Sequence, residues 1–368
     1  MTADLEIFLS TVPGLENALL AEALEKNFTD AEKTKGGVTV RGNWPEVWRA
    51  NLMMRGASKV LVRLGSFKVQ HLAKLDKQAR KFPWGDTLRP DVPVRVEVST
   101  KKSRIYHSKA AAERLETAIR EELGAEISAD ADLCIKIRIV NDICTISLDT
   151  SGEGLHKRGH KEAVNKAPMR ENLAALLLRE CGYEGTEPVV DPMCGSGTFV
   201  IEAAEIAASL TPGRTRNFAF EKLASFNQEA WEALKAQNKA EETNMQFYGF
   251  DRDSGAVKMS AANAKRAGVE SLTIFTKQAI SELTPPDGPK GLVIINPPYG
   301  ARIGDVKKLQ PLYETLGKTL KAGFRGWRIG LVTNNDDLAK ACGLPFRKKK
   351  TAFSHGGIPV KLYSTLRI

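Results

Sequence analysis

The sequence predicts an α/β chain in which a doubly wound, mostly parallel sheet ending in an antiparallel hairpin follows an α+β region. Three observations predict it. Beyond Pro188, short Val- and Ile-rich runs alternate with helical patterns, as in parallel strands joined by crossover helices. At the end, residues 348–353 and 358–366 meet across Ser354-His355-Gly356-Gly357 with no helix between them, so this pair is antiparallel and lies on the sheet edge. Before Asp149, runs such as VPVRVEVS alternate apolar and polar residues with a period of two.

In order, residues 5–9 read as a strand, and Pro13 opens an amphipathic helix with Leu15, Leu19, Ala23 and Leu24 on one face. Two strands flank the Gly36-Gly37 turn, and Trp44-Pro45 starts a helix reaching Leu52, so residues 1–55 form a small α+β segment. Residues 58–65 read as a strand, 72–82 as a helix and 92–99 as a strand. SKAAAERLETAIREEL is a helix stopped by Gly124. Strands 133–139 and 143–148 then pair across Asn141-Asp142, a hairpin signal. Nothing over residues 56–150 has catalytic spacing, which assigns this stretch to binding or packing. Residues 151–166 are glycine-rich, basic and aperiodic, as a linker would be. The domain at 167–368 opens with Pro168 in the first turn of a helix bearing Leu173, Leu176 and Leu177. Strands at 188–190, 246–250, 272–275, 292–295 and 327–332 follow, with helices at 198–210, 254–267 and 309–320.

At 368 residues the chain is long enough for two or three domains, and 42% hydrophobic and 27% charged residues exclude wholesale disorder. No run approaches the roughly 20 apolar residues of a membrane span, and MTADLEIFLSTVPG lacks a basic flank, so a cytoplasmic protein with no membrane partner is expected; the sequence does not give the oligomeric state, a monomer being favoured. The five cysteines show neither a CxxC pair nor a histidine cluster, which leaves no metal site to expect, and Cys194 reads as a small residue filling a turn. A net charge of +10 points to a polyanionic partner. It is divided between the halves, with 27 basic against 23 acidic residues over 1–168 and 27 against 21 over 169–368. Any basic surface is therefore made by folding and not by a tail.

Two loops carry chemistry. Asp191-Pro-Met-Cys-Gly-Ser-Gly-Thr198 joins a strand to a helix, with glycines that let a ligand approach the backbone and a helix amino terminus that favours an acidic group. The Gly-Lys-Ser/Thr ending of a phosphate loop is absent. Val200 stands where the dinucleotide pattern needs a third glycine, and the first acid after a following strand, Asp251, lies well beyond the usual spacing of about 20 residues. S-adenosyl-L-methionine fits instead, with Asp191 for the methionine amino group and Asp251 for both ribose hydroxyls. The second loop, Asn296-Pro297-Pro298-Tyr299, is reached through GLVII and followed by Gly300. Two prolines stop the strand, which puts this loop at the carboxyl edge of the sheet, where open α/β folds bind their ligands.

Over residues 165–300, APMREN, DPMCGSGTFVIEAAEIA, GFDRD and NPPYG closely resemble Rossmann-like class I methyltransferases of the NPPY type, in the form seen in THUMP-domain RNA guanine-N2 methyltransferases. RIYHSKAAAERL and the alternating strands around it resemble a THUMP domain preceded by a ferredoxin-like segment. The resemblance implies a cofactor site of Glu171, Asn172, Asp191, Met193, Gly195, Gly197, Thr198, Asp251, Arg252, Gln278 and Ala279. One departure stands out: Lys277-Gln278-Ala279 occupies the place of an acidic residue near the adenine amino group, where the Gln278 carbonyl can still accept one hydrogen bond.

The implied product is guanine methylated on its exocyclic nitrogen. That amine is a poor nucleophile because its lone pair is delocalised into the ring. The Asn296 side-chain carbonyl and the Pro297 backbone carbonyl can grip its two hydrogens, Pro298 fixes the turn, and Tyr299 offers a face for the base. RNA contacts are expected at Lys101, Lys102, Arg104, His107, Lys109, Lys157, Arg158 and Lys161. Large-subunit 23S ribosomal RNA is the expected substrate, with transfer RNA as the near alternative. Adenine in DNA would suit the same loop, but the THUMP-like half argues against it. A non-catalytic RNA-binding or ribosome-assembly protein that has kept the fold is the reading from a different class.

Overall fold

The computed structural model describes residues 4–162, 169–299 and 303–368, with side chains from 307 in the last segment. Pro168, the linker residues 163–166 and Gly300 lie outside the described residues. The first half contains β1 (Leu5–Ser10), α1 (Glu16–Glu25), β2 (Thr29–Thr34), β3 (Gly37–Gly42), α2 (Trp44–Met53), β4 (Lys59–Lys68), α3 (Leu72–Arg80), β5 (Val94–Lys101), α4 (Ser108–Leu123), β6 (Leu133–Val140) and β7 (Ile143–Asp149). The second contains α5 (Glu171–Glu180), β8 (Val189–Asp191), α6 (Thr198–Ala207), α7 (Gln228–Gln237), β9 (Phe247–Asp251), α8 (Ser254–Ala267), β10 (Thr273–Lys277), β11 (Leu292–Ile295), α9 (Ile303–Gly323), β12 (Arg328–Thr333), α10 (Asp336–Ala341), β13 (Thr351–His355) and β14 (Ile358–Ser364). They gather into two compact units: residues 1–11, 20–155 and 213–237 form the first, and 12–19, 156–212 and 238–368 the second.

The first unit is built on one seven-stranded sheet in the order β2-β3-β1-β4-β7-β6-β5, antiparallel except for β5 with β6. Its two sequence segments share this sheet, because β1 is hydrogen-bonded to β4 from Glu6↔Arg63 to Ser10↔Lys59. Alternation explains its sidedness. Along β6, Leu133, Ile135, Ile137 and Ile139 are buried while Lys136 and Arg138 face the other way. That second face carries a groove of about 570 Å³ lined by Phe8, Arg63, Lys136, Arg138 and Ile143 among others. Asn141 and Asp142 both adopt left-handed φ, 51° and 62°, as a two-residue hairpin turn requires.

Residues 213–237, for which the sequence suggests no element, belong to this unit through an aromatic cluster. Phe220 stacks on Trp48 at 6.0 Å, and Trp231 of α7 meets Phe220 edge-on at 5.1 Å. The start of the expected linker is also tied in. Ser151 is fully buried, its hydroxyl donates to Asn51 Oδ1 at 2.7 Å, and Arg216 donates to the carbonyls of Ser151 and Gly154.

In the second unit the sheet order is β10-β9-β8-β11-β12-β14-β13. The strands from β10 to β12 are parallel, and β14 and β13 add an antiparallel hairpin at one edge. This is the predicted architecture. Strands covered on both faces need no alternation, and every residue of β8 and β11 is buried. On one face Tyr313, Leu316 and Leu320 of α9, with Phe324 just beyond its end, pack with Val293, Ile295 and Leu331. Strand order reverses between β8 and β11, which pair at Leu292↔Val189 and Val293↔Val190. The loops leaving their carboxyl ends therefore open at the switch point where such sheets bind ligands. The described residues hold no helix long and apolar enough to cross a membrane.

Candidate active site

The glycine loop is held open from behind. Gly197 has φ +80°, and a Cβ there would come within 3.0 Å of Ser260 and 3.1 Å of Phe275, so both backbone and space demand glycine. Gly195 has φ +56° with open space beyond it, the side from which a ligand can reach the backbone. Two residues of α8 pin this shape: the Ser260 hydroxyl donates to the Gly195 carbonyl at 2.9 Å, and Asn263 Nδ2 donates to the Ser196 carbonyl at 3.0 Å. Sequence reasoning passed over both. Their signal was two small polar residues three apart on the buried face of a helix. Cys194 is buried, and that burial pushes its thiol well above the usual range, as suits packing and not attack.

Two carboxylates stand at neighbouring strand ends. Asp191 is 2% exposed and accepts from Met193 N at 3.1 Å. Burial pushes its carboxyl up to about 8, with the nearby Asp251 charge adding and the Met193 N–H opposing. A buried carboxyl of this kind becomes ionised when a cation is placed beside it. Asp251 closes β9 and accepts from Gly195 N and Asp253 N, both at 3.0 Å. Beyond β10, Gln278 N donates to the Asp251 carbonyl and Gln278 Nε2 to the Glu282 carbonyl, which leaves the Gln278 side-chain oxygen as the acceptor on offer. Met193 lies partly buried against the core, Ala279 follows Gln278, and Arg252 is exposed.

Behind the loop sits a buried polar clamp. Lys161 Nζ donates to the Met169 carbonyl at 2.7 Å and to Thr198 Oγ1 at 2.8 Å, and lies 3.3 Å from Glu171 Oε1. Burial lowers its affinity for a proton, while Glu171 works the other way. Arg158 forms an ion pair with Glu202 at 3.3 Å, with side chains 2% and 1% exposed. Asn172 is buried beside Glu171 at the start of α5.

These contacts correct part of the expected RNA surface. Arg158 and Lys161 are internal ties, unable to reach a phosphate without abandoning buried acidic partners. Lys157 is exposed in the same stretch. Lys101, Lys102, Arg104, His107 and Lys109 lie together and exposed between β5 and the first turn of α4, in the other unit.

The proline loop leaves β11. Asn296 Oδ1 is buried and accepts no hydrogen bond from any described residue, although an amide oxygen normally finds a donor when buried. Pro297 is buried and Pro298 exposed. The loop is fixed at two points unforeseen from the sequence: Tyr313 Oη donates to the Pro298 carbonyl at 3.2 Å, and Tyr299 Oη lies 3.0 Å from Nδ1 of the buried His355. Burial raises the Tyr299 hydroxyl above its ordinary range, so it stays protonated at neutral pH. His355 comes from the tip of the β13–β14 hairpin, and only that edge addition to the parallel sheet delivers it.

Comparison with known proteins agrees with this geometry. Residues 158–362 match the RMKL-like methyltransferase domain, 69–149 the THUMP domain and 6–61 the RlmL ferredoxin-like domain. A ribosomal RNA large subunit methyltransferase K/L from Syntrophotalea carbinolica is 33% identical over 368 residues, covering 95% of this chain and 52% of the relative. The chain thus spans about half the length of that curated relative. Among solved structures, SMU.472 complexed with SAH superposes with a TM-score of 0.91 at 25% identity, covering 100% of this chain and 99% of the other. A predicted N6-adenine-specific DNA methylase from Listeria monocytogenes gives 0.90 at 26%, covering 100% and 97%. With its switch-point loops and more than half its length matched, the chain belongs to the RMKL-like methyltransferase family.

Proposed function

We propose that the protein transfers a methyl group from S-adenosyl-L-methionine to the exocyclic N2 of a guanine in RNA, large-subunit ribosomal RNA being the favoured substrate. The observation that carries the nucleophile is the buried Asn296 Oδ1, which has no donor among the described residues, on the loop beside the strand that ends in Asp191. When bound, S-adenosylmethionine supplies an electrophilic methyl on a positively charged sulfur. Asp191 would hold its amino group, Asp251 its ribose, and Gln278 its adenine edge.

The chain's own contribution is positioning. Asn296 Oδ1 accepts one amine hydrogen and the Pro297 carbonyl is proposed to take the other, a grip that aims the nitrogen lone pair. Orientation of this kind supplies up to roughly 7 to 11 kcal/mol in ideal intramolecular cases. Tyr299, braced by His355, would stack on the base at about 1 to 3 kcal/mol. Extruding a paired guanine costs a few kcal/mol. The THUMP domain and the name of the Syntrophotalea relative support RNA, and ribosomal RNA within it, over the DNA adenine named for the Listeria structure.

The test is mass mapping of RNA incubated with the purified chain and methyl-labelled S-adenosylmethionine. Label on guanine N2 in large-subunit ribosomal RNA is expected. Label confined to transfer RNA would move the substrate, and label only on DNA adenine would overturn the RNA reading.

A further inference from the structure

The first unit has two positively lined features, the groove on its open sheet face and the loop between β5 and α4. Their charge is not equally available. In the groove, Arg63 pairs with Glu6, and Lys136 with Glu97 at 2.5 Å, so much of that charge is neutralised within the protein. Lys101 at the end of β5, Lys102 in the loop and Lys109 in the first turn of α4 are exposed and form no ion pair among the described residues, and Arg104 is 70% exposed, 3.8 Å from Asp142. The centre of the loop is Tyr106. It is 72% exposed, more than any other large apolar or aromatic side chain described, and its ring lies 4.1 Å from that of His107 at a 44° tilt.

Exposure alone would be unremarkable, but this loop is built to hold its shape. Asp142 Oδ1 accepts from Arg104 N at 2.8 Å, and Asp142 N donates to Ser103 Oγ at 3.1 Å. The Ser103 hydroxyl is 3.0 Å from the Lys101 carbonyl, and Thr100 Oγ1 donates to the Tyr106 carbonyl at 3.2 Å. Ile105, immediately before the tyrosine, is buried and anchors the strand–helix junction. A loop backbone held in this way has already lost the freedom that binding would otherwise remove.

We propose that residues 101–109 form a stacking platform for one unpaired nucleobase of the RNA, with Tyr106 covering the base and Lys101, Lys102 and Lys109 meeting the adjoining phosphates. The proposal rests on the RNA reading above and deepens it by naming which part of the RNA is captured, and where. A single strand is specified because a base within a duplex has both faces already stacked.

The experiment uses the full chain and two probes, a short single-stranded oligoadenylate and an RNA duplex of equal length. In a Tyr106→Trp variant, oligoadenylate should quench the added indole fluorescence and the duplex should not. Tyr106→Ala should weaken oligoadenylate binding about tenfold, while Tyr106→Phe binds like the parent. Lys101→Ala with Lys102→Ala should flatten the salt dependence of binding. Unchanged binding by Tyr106→Ala, or equal quenching by the duplex, overturns the platform alone, since the parent still binds RNA. A parent chain that neither binds nor methylates RNA overturns the platform and the RNA reading together.

Discussion

The two seven-stranded sheets treat polar groups in opposite ways. In the first unit, period-two strands bury one face and leave ionic groups on the other, where Lys136, Glu97 and Arg95 meet in water. The parallel strands of the second unit are covered on both sides, so its polar groups collect at the strand ends, buried, in a glycine loop and a proline loop. A charge costs little in the first setting. In the second it is expensive unless it is paired or awaits a partner. The contrast separates a face on which charges stay solvated and paired from a site suited to chemistry.

Removing one charge from each unit tests whether the two environments differ. Glu202→Ala should lower stability by about 3 to 5 kcal/mol in a denaturant titration, because it breaks a buried ion pair by removing one of its two charges. Glu97→Ala on the open sheet face should cost about 1 kcal/mol or less. Equal losses would mean that the two environments do not differ as described.

At the site itself, Asn296→Ala should reduce methyl transfer at least about a hundredfold in single-turnover assays, with cofactor and RNA binding retained. Near-normal transfer would remove Asn296 from the amine grip. The next largest effect is that of pH. Asp191 is raised from 3.8 to about 8, so its protonated form is favoured in the folded protein, and the stability it contributes declines as pH rises through that interval. A cation beside it favours the ionised form. Affinity for S-adenosylmethionine should therefore climb with pH towards about 8, by up to about tenfold per unit, with proton release on binding below that value. Calorimetry in buffers of different ionisation enthalpy reads this directly, and Asp191→Asn should abolish the dependence.

The smallest effect expected is that of the tyrosine brace. His355→Ala and Tyr299→Phe should each slow turnover by about two- to tenfold, the worth of one hydrogen bond, and the double variant should be no worse than either. Additive losses would show that the two residues act separately.

Much of this molecule was legible as a string of residues. The strand-stopping prolines after GLVII, the glycines of DPMCGSGT and the helix-free gap between 353 and 358 each carry a local conformational demand that few other structures satisfy. Two helices were not legible. α10 is six residues long, and its signal was the Asn335 cap that accepts from Asp337 N and Leu338 N. α7 buries only Trp231, so it lacks a periodic apolar stripe. The basic stretch after Ser151 was misleading for a different reason: composition records that Arg158 and Lys161 are charged, and says nothing of Glu202 and Glu171 waiting inside.

By itself, then, the sequence determined what depends on near neighbours in the chain: the element types, the parallel domain with its antiparallel edge, and the two loops at strand ends. The tertiary structure alone decided what depends on residues distant in sequence. It joined β1 to β4 in one sheet, set α8 behind the glycine loop, turned two expected RNA contacts inward and brought His355 to Tyr299. Local conformational preference is written at each residue, whereas a partner tens of residues away is chosen by whatever packing the whole chain makes possible.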